Sequence, residues 1–311
     1  MRYVVTGAAG FIGSHLAETL LRAGHDLVCV DCFTDYYPVE LKEENARALE
    51  VECLDLAECE LEPLLAGVDG IFHLAAQAGV RASWGDGFDD YLHHNLRATQ
   101  RLFGEAAERG LRVVFSSSSS IYGNAAAFPT HEDTRPNPIS PYGVTKLACE
   151  QLARAYEANF GLDVVSLRYF TVYGPRQRPD MSFTRIVAAL AAGDVYEVYG
   201  DGLQSRDFTF VGDAVTANIR AMESAPAGAV YNVGGGSEVT LLDAIAVVER
   251  IAGAKLDVRF TPPAAGDARR TAADSSRIRS ELAWRPAVSL ETGLAAQWAW
   301  YLESRRPVAT R

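Results

Sequence analysis

The sequence predicts an α/β protein built on a doubly wound parallel sheet, with a smaller C-terminal α/β lobe. Three observations point there. From residue 1 to about 168, short β-branched apolar runs alternate with helix-period segments, the pattern of strands covered by helices on both faces. A glycine-rich turn, Thr6-Gly7-Ala8-Ala9-Gly10-Phe11-Ile12-Gly13, follows the first run and opens a helix. After residue 169 the punctuation changes, and a Pro/Gly/Arg-rich stretch introduces shorter, mixed elements. With 311 residues, the chain suits one large domain or two that share an interface.

The elements follow in order. Strands are expected at 3–5, 27–30, 70–74, 113–115 and 164–167. A helix over 12–22 ends at Gly24 and another over 95–109 ends at Gly110, glycine supplying the left-handed closing residue. Ser140 and Pro141 read as the N-cap and first residue of a further helix. Thr240-Leu241-Leu242-Asp243 reads as a capping box, and Ser289 begins a last helix carrying Trp298 and Trp300, with 305–311 fraying. The expected division is a sheet domain over 1–168, joined again by part of about 208–236, and a second lobe from 169–207 and 237–311.

Composition narrows the function classes. An apolar fraction of 48% with 22% charged residues excludes a disordered chain. The net charge of −11 repels a phosphate backbone, so no nucleic-acid partner is expected. No apolar run nears the roughly 20 residues that span a bilayer. The N-terminus opens as a strand and not as a signal peptide, so a cytoplasmic location is expected. Five cysteines (Cys29, Cys32, Cys53, Cys59, Cys149) make no zinc-type set; Cys29 of the single Cys-x-x-Cys lies in an apolar run, so neither a metal nor a redox role is expected.

Two motifs carry chemistry. Gly7 permits a tight turn, Gly10 lets a pyrophosphate approach the backbone, and Gly13 lets helix and strand touch, while the free N–H groups of the helix face the phosphates. Asp31 closes the second run, where a carboxylate binds the adenine ribose hydroxyls. The same carboxylate would repel a 2′-phosphate, and 32–37 contains no Arg or Lys to compensate, so the expected cofactor is NAD and not NADP. Farther on, Tyr142 and Lys146 stand four apart on one helix face. An ammonium one turn along stabilises negative charge on the phenol oxygen, which suits the tyrosine to act as a base.

Gly7-x-x-Gly10-x-x-Gly13, Asp31, Asp55-Leu56, His73-Leu74-Ala75-Ala76-Gln77, Asn95, Ser118 and Tyr142-x-x-x-Lys146 together resemble the extended short-chain dehydrogenase/reductase family, in particular its nucleotide-sugar epimerase/dehydratase branch. The resemblance runs from Thr6 to about Trp284-Arg285-Pro286. It implies a Rossmann domain with Asp55 and Leu56 at the adenine, and with Phe11, Ile12, Leu74, Ala75, Ala76, Gln77, Asn95, Tyr142, Lys146 and Tyr169 along tightly bound NAD. It places Ser118, flanked by Ser117 and Ser119, beside Tyr142 at the sugar hydroxyl. His73 reads as an ordinary strand-end residue. Members of the branch commonly dimerise through a four-helix bundle, which implies a homodimer built on the helices from Asn95 and Tyr142.

The resemblance also separates the chemistries. Dehydratases of the branch carry Asp-Glu directly after the catalytic Ser or Thr, and similar decarboxylases carry Glu two places after it. Here Ser119 and Ser120 occupy those places, and neither is a carboxyl acid, which favours a 4-epimerase. Thr171, where many sugar 4-epimerases have Asn, and the string Arg178-Pro179-Asp180-Met181 resemble the UDP-glucuronate 4-epimerases. A C6 carboxylate suits a hydroxyl donor and a planar guanidinium, so Thr171 and Arg178 are the expected pair; alternatively Arg178 only pairs with Asp180. Similarity to UDP-binding segments implies Arg206 at the diphosphate, Val198 or Tyr199 at the uracil, and Asp267 with Arg269 or Arg270 at the nucleotide. The expected reaction is conversion of UDP-glucuronate to UDP-galacturonate by transient C4 oxidation. The alternatives are a UDP-glucose/UDP-galactose 4-epimerase, a UDP-glucuronate decarboxylase, and a non-catalytic NAD-sensing protein, which would tend to lack the Tyr or the Lys.

Overall fold

The computed structural model describes residues 1–304. The alternating runs form β1 (Arg2–Thr6), α1 (Phe11–Arg22), β2 (Asp26–Asp31), α2 (Val39–Asn45), β3 (Val51–Cys53), β4 (Gly70–His73), α3 (Phe88–Tyr91), α4 (Ala98–Glu108), β5 (Arg112–Ser118), α5 (Pro141–Phe160) and β6 (Val164–Tyr169). The chain then leaves for β7 (Thr171–Tyr173), α6 (Ser182–Ala192), β8 (Tyr196–Tyr199) and β9 (Ser205–Phe210), and returns for α7 (Val211–Ser224) and β10 (Val230–Val233). It ends with β11 (Glu238–Thr240), α8 (Leu241–Ala252), β12 (Val258–Thr261), α9 (Ser276–Glu281) and α10 (Leu290–Ser304).

Seven strands pair in the order β10-β6-β5-β4-β1-β2-β3, every neighbour parallel. Strand order reverses between β1 and β4, and a crevice opens beyond their C-terminal ends, where ligands of such sheets bind. α1 and α7 cover one face around Leu16, Leu20, Val215 and Trp284. α4 and α5 cover the other around Leu102, Phe103 and Ala153. The C-terminal lobe has its own core of Phe183, Ile186, Phe208, Val248 and Leu294, between α6, α8, α10 and two small sheets, β11-β9-β7 and β12-β8.

The expected caps form. Ser140 Oγ accepts from Gly143 N at 3.1 Å, and Gly161, at φ 70°, closes α5. Thr240 Oγ1 accepts from Asp243 N at 3.1 Å, but the Asp243 carboxylate takes the Thr240 hydroxyl (2.6 Å) in place of the Thr240 backbone N–H; aspartate is one methylene shorter than the glutamate of a full capping box. Ser289 Oγ accepts from Thr292 N at 3.2 Å.

The segment expected as one helix over 95–109 differs. A single α-turn at Phe88–Tyr91 leads into a π-helical stretch, Leu92–Arg97, and α4 begins only at Ala98. The widened turn carries Asn95, whose side chain is used inside the protein. The short strand β3 was not anticipated, because three residues give too little alternation to read. The expected fraying of 305–311 lies outside the described residues. Among the described residues, no helix is long and apolar enough to cross a membrane. Cys29 is buried, and burial pushes its thiol up to about 11, away from a reactive thiolate.

Candidate active site

The cofactor cleft lies at the C-terminal ends of β1, β2 and β4. Gly7 sits at φ +70°, and a Cβ there would stand 2.8 Å from Ala75 N; a Cβ on Gly13 would stand 2.0 Å from Gly7 O. Only glycines let α1 start this close to the strand. Gly10 caps α1 without a side-chain bond, so the first-turn N–H groups stay available to an anion. Asp31 is oriented by two N–H donors: Oδ2 accepts from Ala9 at 3.1 Å and Oδ1 from Phe33 at 2.9 Å. Phe11, Ile12, Asp55, Leu56, Leu74, Ala75, Ala76, Gln77 and Tyr169 line the same cleft, and with the glycine cradle they fit a dinucleotide whose phosphates rest on α1.

Asn95 is the exception. It is buried off the cleft wall, where Oδ1 accepts from Gln77 N (2.7 Å) and Nδ2 donates to Gln77 O (3.1 Å) and Thr145 Oγ1 (3.1 Å). It therefore positions Gln77 and does not touch the ligand space itself. Sequence reasoning missed Tyr36, Tyr37 and Lys42, which also line the cleft. Lys42 Nζ pins their loop by donating to Thr34 O (2.7 Å) and Thr34 Oγ1 (3.0 Å). The aromatic pair following Asp31 was the available signal.

At the far end of the cleft stand Tyr142 and Lys146 of α5 and Ser118 at the end of β5. Lys146 is buried, and its Nζ donates to Ser116 O at 2.8 Å. Ser118 Oγ accepts from Ser120 N at 3.1 Å, which fixes the hydroxyl oxygen and leaves its proton free to donate toward a ligand. Tyr91 packs edge-on against the Tyr142 ring (6.1 Å) and donates to Gly79 O at 2.6 Å. Behind them Glu150, two turns after Tyr142 on α5, pairs with Arg168 of β6 at 2.7 Å and accepts from Ser117 Oγ at 2.5 Å. Ser117, expected against the substrate, does line the cleft, although its hydroxyl is committed to this buried network. His73 is fully buried between Thr6 Oγ1 (2.8 Å) and Thr99 Oγ1 (2.9 Å), and burial, then the Lys146 charge, lowers its pKa to about 3. It is a neutral structural residue, as its strand-end position suggested.

Tyr142 also faces a second cavity of about 630 Å³ between the sheet and the C-terminal lobe. Ser118, Ser119, Ser120, Thr171, Arg178, Tyr199, Arg206 and Asp267 line it. Arg178 makes a two-point contact with Asp180, Nε to Oδ1 and Nη2 to Oδ2, both 2.9 Å. The carboxylates lining this cavity, Asp180 and Asp267, are both already paired, the latter with Arg81.

Two expected contacts lie elsewhere. Val198 is fully buried in the lobe core, because alternation along β8 sends it inward and Tyr199 to the cavity. Arg269 turns outward to Asp201 (2.6 and 2.8 Å) and Arg270 to Glu238 (2.7 and 3.0 Å), and neither lines the cavity. Arg81 and Arg185, which the sequence did not single out, do line it.

Known proteins share this fold. Residues 3–234 match the NAD dependent epimerase/dehydratase family. The chain is 43% identical to an uncharacterized UDP-glucose epimerase, YtcB, of Bacillus subtilis (strain 168), over 98% of each chain. It is 34% identical to a UDP-glucuronate 4-epimerase of Thermodesulfobacterium geofontis (strain OPF15), over 97% of this chain and 96% of that one. The crystal structure of UDP-glucuronic acid 4-epimerase from Bacillus cereus, in complex with UDP-glucuronic acid and NAD, superposes with a TM-score of 0.95 at 38% identity, covering 98% of this chain and 100% of that one. With its glycine cradle, Asp31 and the Tyr142/Lys146 pair on α5, the chain belongs to the NAD-dependent epimerase/dehydratase family.

Proposed function

We propose that the protein inverts C4 of UDP-glucuronate, giving UDP-galacturonate. The observation that carries this is the placement of Arg178, with Thr171 and Ser118–Ser120, on the wall of the cavity that Tyr142 faces. A guanidinium held by a second carboxylate is pre-aimed at a ligand carboxylate. NAD held in the cleft would supply the hydride acceptor for C4 of the sugar, and its reduced form the donor that restores hydrogen on the other face. Tyr142 removes the proton of the C4 hydroxyl and later gives it back, while the Ser118 hydroxyl donates to the same oxygen. Lys146, anchored on Ser116 O, stands one helical turn from Tyr142 on the same cleft wall.

The 4-keto form of a glucuronate is a β-keto acid, prone to losing CO2. Thr171 and Arg178 restrain its carboxylate, and the hydroxyl of Ser120 stands where a decarboxylase would place an acid. Elimination likewise lacks a free carboxyl group here. We further propose a homodimer formed through α4 and α5; sedimentation velocity should give the mass of two chains, and the mass of one would contradict it.

UDP-glucose is the second reading. The Arg178–Asp180 pair is complete without a substrate carboxylate, and the Bacillus subtilis relative carries a UDP-glucose name. Incubating the purified protein with each UDP-sugar and following products by proton NMR separates the two. The expected result is faster conversion of UDP-glucuronate without CO2 release. Arg178→Ala is expected to lower kcat/KM for UDP-glucuronate by about 10- to 100-fold, the worth of a charge-assisted contact, with a much smaller effect on UDP-glucose. Equal losses on both would assign Arg178 to structure alone.

A further inference from the structure

We infer that Asp55, His93 and His94 form a binding site for a divalent transition-metal ion, and that filling it opposes binding of the dinucleotide. The inference goes beyond the sugar chemistry and does not depend on it. Asp55 follows β3, and His93 and His94 lie in the π-helical stretch that precedes α4. One donor atom from each of the three side chains lies within 4.8 Å of the other two. A regular helix does not give that convergence, since its successive side chains point about 100° apart. Here the adjacent imidazole rings stand 4.7 Å apart, edge to face, and both come within reach of one carboxylate. Widened turns of this kind recur at functional sites.

The carboxylate is already oriented. Asp55 Oδ1 accepts from Ala57 N at 2.8 Å, and Oδ2 meets His93 Nε2 at 2.7 Å. A backbone donor behind a carboxylate is the support that metal ligands commonly have. An ion takes the place of the proton between His93 and Asp55, and that proton passes to solvent. Tetrahedral bonds of about 2.0–2.2 Å set two donors roughly 3.4 Å apart, so this pair opens by roughly 0.7 Å. Both side chains have room for that movement, being 32% and 33% exposed. Two imidazole nitrogens with one carboxylate oxygen suit Zn²⁺, Co²⁺ or Ni²⁺, and not Mg²⁺, which prefers oxygen donors. The set contains no cysteine.

Its position ties the site to the cofactor. Asp55 and His94 line the cofactor cleft, at the end where the family resemblance puts the adenine. The exocyclic amine of adenine is a donor and takes Asp55 as its acceptor. A cation on that carboxylate occupies its lone pairs and repels the amine hydrogens. Metal and dinucleotide therefore weaken each other, by the same factor in each direction.

Titration of the purified protein with Co²⁺, alone and with added NAD, tests this through the visible absorption of the ion. The expected result is one ion per chain, bound through nitrogen and oxygen, with no thiolate band in the near ultraviolet. His93→Gln and His94→Gln should each weaken it by about 10- to 100-fold, at least the cost of losing a supporting partner of a metal ligand. His131→Gln, at a histidine beside Asp133, should leave it unchanged. Excess Mg²⁺ should not displace the Co²⁺, and saturating NAD should weaken it by about 5- to 150-fold. Histidine labelling of the wild type needs no variant: Zn²⁺ should shield His93 and His94 from diethyl pyrocarbonate and leave His131 reactive. Wild-type affinity in both His93→Gln and His94→Gln, displacement by equimolar Mg²⁺, a thiolate band, or Co²⁺ binding that NAD leaves unchanged overturns the inference. Labelling of His93 and His94 that Zn²⁺ does not slow overturns it as well.

Discussion

Tyr142 and Ser118 reach the same space from different elements, and their neighbours leave each with one task. The Ser118 oxygen is held by Ser120 N–H, so its own proton stays free to donate, while Lys146 is fixed to Ser116 O. Tyr142→Phe removes the base alone. It should lower kcat by about 10²- to 10⁴-fold, the usual worth of general base catalysis, with UDP-sugar and NAD binding nearly unchanged; near-wild-type turnover would remove Tyr142 from the chemistry. His73 provides a stability test at the same scale. Its pKa is lowered to about 3 in the folded protein from an ordinary 6.5, so the unfolded chain binds a proton that the folded chain refuses. Stability is therefore fully present above about pH 6.5 and is lost as pH falls toward 3, at up to about 1.4 kcal/mol per pH unit. Denaturant unfolding of His73→Asn should lack that part of the slope.

At the scale of elements, α5 does two things at once. Its N-terminal half presents Tyr142 and Lys146, and its next turn inserts Glu150 between β5 and β6, where it holds Arg168 and Ser117. The buried pair fixes the helix against the strands that carry Ser118. Glu150→Ala would leave the Arg168 guanidinium buried without its partner, and denaturant unfolding should show a loss of about 3–5 kcal/mol. The loop bearing Arg178 is anchored in a similar way. Arg176 pairs with Glu18 at 2.7 Å and His15 Nε2 meets Pro175 O at 2.9 Å, so this loop rides on α1, the helix that faces the phosphates. Such elements are legible where one contiguous stretch makes them. Gly7, Gly10, Gly13 and Asp31 sit in consecutive turns, and Ser140-Pro141 marks the start of α5 by its own chemistry. Asn95 was not legible as a positioning residue, because the π-helical turn that aims it inward has no marker in the sequence.

Over the whole molecule, the cofactor half is local in sequence and the substrate half is not. Arg81 and Asp267 lie 186 residues apart yet meet at 2.7 Å, a contact that neither spacing nor composition announces. Arg269 was a reasonable expectation from its place beside Asp267, and Asp201, on another loop, draws it away. Val198 could have been separated from Tyr199, since the two-residue period of a half-buried strand sends one inward and the next outward. The tertiary arrangement then joins the two halves at Tyr142, which both cavities share. On the proposed reaction, the hydrogen leaving C4 stays inside the protein until it returns. The direct measurement is proton NMR of UDP-glucuronate deuterated at C4, incubated with the purified protein in ordinary water. UDP-galacturonate that keeps its deuterium at C4 is the predicted result, and product carrying solvent hydrogen at that carbon would contradict it.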